Sequence, residues 1–271
     1  MRKIFFVKYY DKGSTILGAD QISEGLRARG LEARAVYPGE LAGLRDSILV
    51  FIKTSKIHDL AGARRRGNRT VLDVQDTVVF KRRIKNRWLF DGLIFKNRRQ
   101  LADFGSPKHL SRVIYHQWDP RYAPNRVADG AFHAGYFGDE RSFPLWNRVP
   151  GVDFHSRDYF TQALGYNCHL SFRPAGRDFL YKPNCKVSTA AACEANLVTT
   201  ADESTLEFLG EDYPFYIDPR EDAITPGLDR ARDGFGGGEW REGLERMREV
   251  REKTRLDRIL DDYVRFFAEL G

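Results

Sequence analysis

Lys182 and Lys186 stand four residues apart in the stretch Phe179-Leu180-Tyr181-Lys182-Pro183-Asn184-Cys185-Lys186. The loop holding them runs into a helix of small residues, Val187-Ser188-Thr189-Ala190-Ala191-Ala192, expected over 187–193, and then into a strand that ends Thr199-Thr200. A helix start presents unpaired N–H groups and partial positive charge, so two ammonium groups beside it make a site for a diphosphate. The alanines allow a backbone or ligand to approach closely. Without a ligand the same pattern reads as solvated lysines and tight helix-on-sheet packing. Arg173, in Ser171-Phe172-Arg173-Pro174, and Arg141, in Gly138-Asp139-Glu140-Arg141, also follow expected strands of this half. Arginine holds phosphate in a fork, so both are candidates for the same diphosphate, Arg173 ahead of Arg141. Their alternative is a surface pair with Asp139, Glu140 or Asp178.

The first half offers other chemistry. Asp76, in Asp73-Val74-Gln75-Asp76-Thr77, follows the fourth expected strand, where a carboxylate orients an acceptor hydroxyl or acts as general base; a turn or N-cap aspartate is the alternative. His116 and Asp119 close the last strand of this half, although a lone histidine is more often a satisfied polar residue than a catalyst. The densest basic run is Lys81-Arg82-Arg83-Ile84-Lys85-Asn86-Arg87, followed by Trp88-Leu89-Phe90. Basic residues interleaved with aromatic ones suit an anionic membrane face. The same charges attract nucleic acid, but no nucleic-acid-binding signature accompanies them, so a membrane or lipid-linked acceptor ranks first and nucleic acid is not expected. A merely solubilising surface is the remaining reading.

The elements that would position these residues follow from periodicity. Strands are expected at residues 3–7, 31–37, 47–53, 70–74, 92–95 and 112–116, with helices at 18–29, 57–66 and 98–104 between them. After a connector at 120–130 the pattern restarts, with strands at 131–137, 169–173, 196–200 and 213–217, helices at 156–164 and 187–193, and charged amphipathic helices over 240–270. Alternation of this kind makes βαβ units and parallel sheets. The expected fold class is therefore α/β: two Rossmann-like domains facing a cleft, residues 1–125 and 126–271, with ligands at the carboxyl ends of the strands. A chain of 271 residues, 42% hydrophobic and 30% charged, suits two such domains. Residues 1–125 carry 25 Lys and Arg against 12 Asp and Glu, and the remainder 19 against 26, so the first half is the one to meet an anionic partner.

Other functions are disfavoured. No apolar run approaches the roughly 20 residues of a membrane span, and residues 1–7 do not make a signal peptide, so a cytoplasmic protein is expected. Three cysteines, Cys168, Cys185 and Cys193, make neither a disulfide framework nor a zinc site. The motifs G-x-G-x-x-G, G-x-x-x-x-G-K-[ST] and G-x-S-x-G are all absent.

The segment 182–200, continuing through Glu207, Leu209, Gly210 and Tyr213-Pro214-Phe215-Tyr216, resembles the donor-binding segment of GT-B glycosyltransferases of the group 1 (GT4-like) kind, in a compact variant from bacterial surface-polysaccharide synthesis. His116-Gln117-Trp118-Asp119-Pro120-Arg121 and Gly135-Tyr136-Phe137-Gly138 are similar to the interdomain crossover and the first strand and loop of the second domain in such enzymes. The resemblance implies transfer of a sugar, with retention, from a nucleotide-sugar to a membrane-associated, glycan or lipid-linked acceptor, on the inner face of the membrane. Taken with the residue readings above, the expected donor residues are Arg173, Lys182, Lys186, Ser188, Thr189, Gly138 and Arg141, the acceptor residues Gly13, Ser14 and Asp119, and the catalytic residues Asp76 and His116. The last helix is expected to cross back onto the first domain. No metal or other cofactor is expected, since lysines replace a cation at the diphosphate. Where that family has two glutamates eight residues apart, this sequence has Tyr181 and Thr189. Their absence favours the alternative function, a non-catalytic nucleotide- or glycan-binding module of the same fold.

Overall fold

Short runs of branched and aromatic side chains, such as Ile4-Phe5-Phe6-Val7 and Ile48-Leu49-Val50-Phe51-Ile52, are buried along their whole length. Burial of both faces is what a parallel sheet covered by helices requires. The computed structural model describes residues 2–75, 84–127, 130–143, 145, 147–174, 176 and 180–271. Contacts group the chain into two units, Met1–Gln117 with Tyr181–Pro183 and Leu256–Gly271, and Trp118–Leu180 with Asn184–Arg255.

The first unit is built on β1 (Ile4–Val7), α1 (Ile22–Ala28), β2 (Ala33–Val36), β3 (Ile48–Ile52), α2 (Ile57–Arg65), β4 (Arg69–Asp73), β5 (Gly92–Phe95), α3 (Arg98–Phe104) and β6 (Leu110–Val113). Its six strands are parallel in the order β2-β1-β3-β4-β5-β6. The helical stretch before α1 widens to π geometry over Ile16–Gln21. There the Leu17 carbonyl accepts from Gln117 Nε2 at 2.8 Å, which satisfies it.

One face of this sheet is closed by the chain's last helix, α8 (Leu256–Leu270). Ile259, Leu260, Tyr263, Phe266 and Phe267 form a stripe with helical spacing that packs with Ile4, Phe6, Ile48 and Ile94. This stripe is why residues 256–271 group with the first unit rather than with the chain that precedes them. The Phe267 ring meets Phe6 edge to face at 6.3 Å. Phe267→Ala is expected to destabilise the protein by about 3 to 5 kcal/mol, visible as a lower Tm in a thermal melt.

The second unit contains β7 (Ala134–Phe137), β8 (Val152–His155), β9 (Cys168–Ser171), α4 (Cys185–Ala192), β10 (Asn196–Thr200), α5 (Glu203–Leu209), β11 (Tyr216–Ile217), α6 (Ile224–Asp233) and α7 (Gly238–Lys253). Its strands are also parallel, in the order β11-β10-β9-β7-β8. The chain changes direction across the sheet between β7 and β9. Ligands of open α/β sheets bind beyond the strand ends at such a point.

Several expected elements shift. Strand β8 and helices α5 and α6 have no counterpart in the sequence reading. The helix expected over 156–164 shrinks to a single turn, Tyr159–Gln162, and a 3₁₀ turn. Helix α4 starts two residues earlier than expected, because the Asn184 carbonyl already accepts from Ser188 N at 2.9 Å. Lys186 therefore lies inside the first helical turn and not in the loop before it.

Candidate functional site

At the switch point of the second sheet, β7 ends in Phe137 and Gly138 follows. Lys186 reaches this strand end from the first turn of α4, donating to the Phe137 carbonyl and lying over the Tyr136 ring at 4.1 Å from its centroid. Burial, and after it the charge of Arg173, pushes the Lys186 ammonium down to about 7. Among the described residues no carboxylate lies within ion-pair distance of Lys186. A Cβ on residue 138 would sit 2.5 Å from Lys186 Nζ, so glycine there leaves the ammonium its place.

Arg173 follows β9, on the other side of the switch point. Its Nη1 donates to Asp202 Oδ2 at 2.7 Å, and its main-chain N–H donates to Thr200 Oγ1 at 3.2 Å. Asp202 also caps α5, accepting from Ser204 N and Thr205 N at 2.9 and 3.1 Å. The guanidinium is thus fixed at one end by a carboxylate that is itself fixed. Behind Lys186, His169 is buried on β9 with its ring tilted on Phe137 at 4.6 Å. Burial, followed by the charge of Lys186, pushes His169 down to about 3, so it stays neutral. A half-buried ammonium with no carboxylate partner among the described residues, in a sheet whose Arg173 is anchored by Asp202, gains from an anion: a phosphate would favour the charged form that burial disfavours.

Other donor candidates sit differently. Ser188 is buried and its hydroxyl accepts from the Asn184 side chain. Thr189 hydrogen-bonds the Tyr122 phenol. Arg141 is 84% exposed and forks onto Asp139 at 2.6 and 3.0 Å, a local surface pair. Lys182 falls in the first unit, where its carbonyl accepts from Asn97 Nδ2 at 3.2 Å.

In the first unit the carboxyl ends of β4, β5 and β6 carry a buried polar network. Asp73 and Lys96, 0% and 1% exposed, pair at 2.9 Å. Tyr263 of α8 donates to Asp73 Oδ2 at 2.8 Å, and Gln75 Nε2 to Oδ1 at 2.8 Å. Gln75 also meets His116 Nε2 at 2.6 Å. Burial, and then the Lys96 charge, holds His116 well below the ordinary histidine range, so the imidazole is neutral. Gly13 is exposed at the first turn after β1, and Ser14 beside it is half-buried. Asp119, of the second unit, is buried and forks onto Arg121 at 2.6 and 2.9 Å, which engages both its oxygens. Asp76, Lys81, Arg82 and Arg83 lie outside the described residues, as does the side chain of Lys85. Arg87 and Trp88 are described, and Trp88 is 66% exposed.

The sequence reading gave no site role to Tyr136, His169, Asp202, Asp73, Gln75, Lys96 or Tyr263, although Tyr263 belongs to the apolar stripe of the last helices and Lys96 follows the basic run. Only Asp202 carried a local signal. Asp202-Glu203-Ser204-Thr205 is a capping pattern that announces α5.

No family model matches the sequence, and no curated protein matches it by sequence. Solved structures match by fold. HepE of Anabaena, in complex with UDP and glucose, superposes with a TM-score of 0.71 at 10% identity over 99% of this chain and 100% of that one. A glycosyltransferase from Rickettsia africae gives 0.66 at 9% identity over 99% and 98%. TarM of S. aureus, in complex with Fondaparinux, alpha-GlcNAc-glycerol and UDP, gives 0.54 at 11% identity over 83% of this chain and 56% of that one. Matched along nearly its whole length by structures of this kind, the chain has the GT-B glycosyltransferase fold.

Proposed function

We propose that the protein is a glycosyltransferase that moves a sugar from a nucleotide-sugar to a glycan or lipid-linked acceptor. The observation that carries this reading is the half-buried Lys186 held on the Phe137 carbonyl and the Tyr136 ring at the switch point of the second sheet, where Arg173 follows the neighbouring strand and is anchored by Asp202. The match to proteins solved with UDP supports it. In the transfer the bond from the anomeric carbon to the diphosphate oxygen breaks and an acceptor oxygen forms the new one. Negative charge grows on the departing diphosphate, whose oxygen takes up the acceptor proton as the new bond forms. Lys186, Arg173 and the first N–H groups of α4 would stabilise that charge.

Retaining hexosyl transfer is the form we propose, with two protein cations in the role a metal would otherwise fill. Turnover is accordingly expected to survive EDTA. A thermal-shift series with UDP, GDP, ADP, TDP and CMP tests the binding half of the reading. One of them should raise the Tm, by an amount equivalent to about 2.7 kcal/mol at a hundredfold excess over Kd. A flat response to all five would remove the reading.

A specific observation favours the non-catalytic alternative. Tyr181, which stands where the first of the two glutamates is found in the enzymes the sequence resembles, points its hydroxyl to Asp103 Oδ2 at 2.7 Å. Slow release of nucleoside diphosphate from a donor without acceptor supports the enzyme; tight binding without release supports the module.

Docking on an anionic membrane is a further part of the proposal. Trp88, Arg64, Arg69, Phe90 and Lys108 line a cavity of about 420 Å³ at the beginnings of β4 and β6, the opposite end of that sheet from Lys96. Arg64 and Arg69 there pair with Asp91, which leaves Lys108 and the exposed Trp88 as the described groups that would meet a headgroup layer. Replacing Lys81, Arg82, Arg83, Lys85 and Arg87 with Ser and Trp88 with Ala should abolish co-sedimentation with phosphatidylserine vesicles and spare nucleotide binding. Wild-type protein that ignores such vesicles at low salt would contradict it. Among the described residues no helix is long and apolar enough to cross a membrane.

A further inference from the structure

The amino ends of β1, β2 and β3 meet at one corner of the first sheet, where the order β2-β1-β3 leaves β2 on the edge. Hydrogen bonding brings the residues that precede these strands together: Ile4 N donates to the Glu32 carbonyl and Ile48 N to the Lys3 carbonyl, each at 2.8 Å. Phe5 is in register with Arg34, whose guanidinium stands 5.2 Å from the centre of the Phe5 ring. A cavity of about 590 Å³ opens here, lined by Phe5 and Leu44 together with Lys3, Arg27, Arg34, Arg45 and Glu32. Two of its four cations have carboxylates, Lys3 with Glu32 at 2.6 Å and Arg34 with Glu40 at 2.7 Å. Arg27, in the last turn of α1, and Arg45, in the turn before β3, pair with no carboxylate among the described residues. The cavity therefore carries a surplus of two guanidinium groups.

Each guanidinium presents a planar fork of N–H donors that matches phosphate oxygens, and an arginine without a carboxylate has that fork to offer. The volume lies within the roughly 300 to 1,000 Å³ of small-molecule sites, so there is room for an organic group beside the phosphate. We infer that this corner is a ligand site for a phosphate ester, with Arg27 and Arg45 holding the phosphate and Phe5 and Leu44 meeting the organic part. The site belongs wholly to the first unit. It lies at the amino ends of the strands, whereas ligands of open α/β sheets bind beyond the carboxyl ends, so it is accessory to the proposed transfer and does not rest on the donor role of Lys186. A soluble glycerol or sugar phosphate and the headgroup of an anionic glycerophospholipid present the same chemistry, and the test separates these two sources.

Glycerol 3-phosphate is titrated by calorimetry and phosphatidylglycerol vesicles are co-sedimented, each with wild type and with two double variants. Arg27→Gln with Arg45→Gln removes both charges; Arg27→Lys with Arg45→Lys keeps the charges and removes the forks. Both arginines are exposed, so the variants should melt with the wild type. Wild type is expected to bind at least one probe, the glutamine pair to weaken that binding at least about tenfold, and the lysine pair to weaken it several-fold. Binding of glycerol 3-phosphate identifies a soluble ester as a sufficient ligand; binding of vesicles alone identifies the lipid headgroup. A lysine pair that binds as wild type does would show attraction by charge without a built site and would overturn the inference. Unchanged binding by the glutamine pair, or a wild type that binds neither probe, would overturn it as well.

Discussion

Lys186→Met should weaken binding of the cognate nucleoside diphosphate by roughly 10- to 150-fold, the worth of a hydrogen bond to a charged group, and leave the Tm of the unliganded protein unchanged or higher. Both halves of this result come from the same burial. An ammonium held at about 7 is a group the fold keeps at a cost, and removing it relieves that cost. The direction with pH follows. In the unfolded chain the lysine keeps its proton up to about 10.5, and in the folded unliganded protein only to about 7. Between those values the unfolded state binds more protons, so this group's contribution makes the unliganded protein more stable as pH rises from 7 to 10.5. A bound diphosphate returns the proton to Lys186. Nucleotide binding at pH 8 should therefore take up close to one proton, read as a dependence of the calorimetric enthalpy on buffer ionisation. Affinity should fall toward tenfold per pH unit above 7. Binding without proton uptake, or an affinity flat from pH 7 to 9, would show that Lys186 does not meet the phosphates.

Lys96→Met is expected to be the most damaging single change in the first unit. It leaves the Asp73 carboxylate buried with only Tyr263 and Gln75 as donors. Removing one partner of a buried pair costs about 3 to 5 kcal/mol, which for a protein of this size lowers the Tm on the order of 10 °C. The companion change Asp73→Asn should recover most of that loss in the double variant, because an amide needs no counter-charge. A Lys96→Met protein that melts with the wild type would contradict the pairing. The network joins β4, β5 and α8, and through Gln75 it holds His116. His116 variants should therefore change stability more than any proton-transfer step, since burial keeps the imidazole neutral.

What the sequence disclosed and what it hid divide along physical lines. Strands such as β3 and β5 are continuous apolar runs because helices cover both faces, and that signal survives in one dimension. Helix α3 and strand β10 lie where periodicity and β-branched content place them. Strand β8 reads Val-Asp-Phe-His, an edge strand with one partner in its sheet, too polar to stand out. Lys186 was legible as a phosphate candidate because its neighbours are small and a strand follows. Its burial was not, since Phe137 and Tyr136 come from a strand some fifty residues earlier. Arg141 and Asp119 had the right residue types but found partners two residues away, Asp139 and Arg121, a competition that spacing alone does not settle. Tyr181 was recognised by what it is not. Its partners Asp103 and Gln100 are eighty residues distant, and only the folded chain brings them together.

Donor turnover in the absence of acceptor separates an enzyme from a binding module. The protein is incubated without acceptor against UDP-, GDP-, ADP- and TDP-sugars, and released nucleoside diphosphate is followed with time for wild type and for Lys186→Met. The wild type should release nucleoside diphosphate slowly from at least one donor, at a rate unaffected by EDTA and reduced at least tenfold in the variant. Tight nucleotide binding with no release from any donor, or release at the same rate from both proteins, would contradict it.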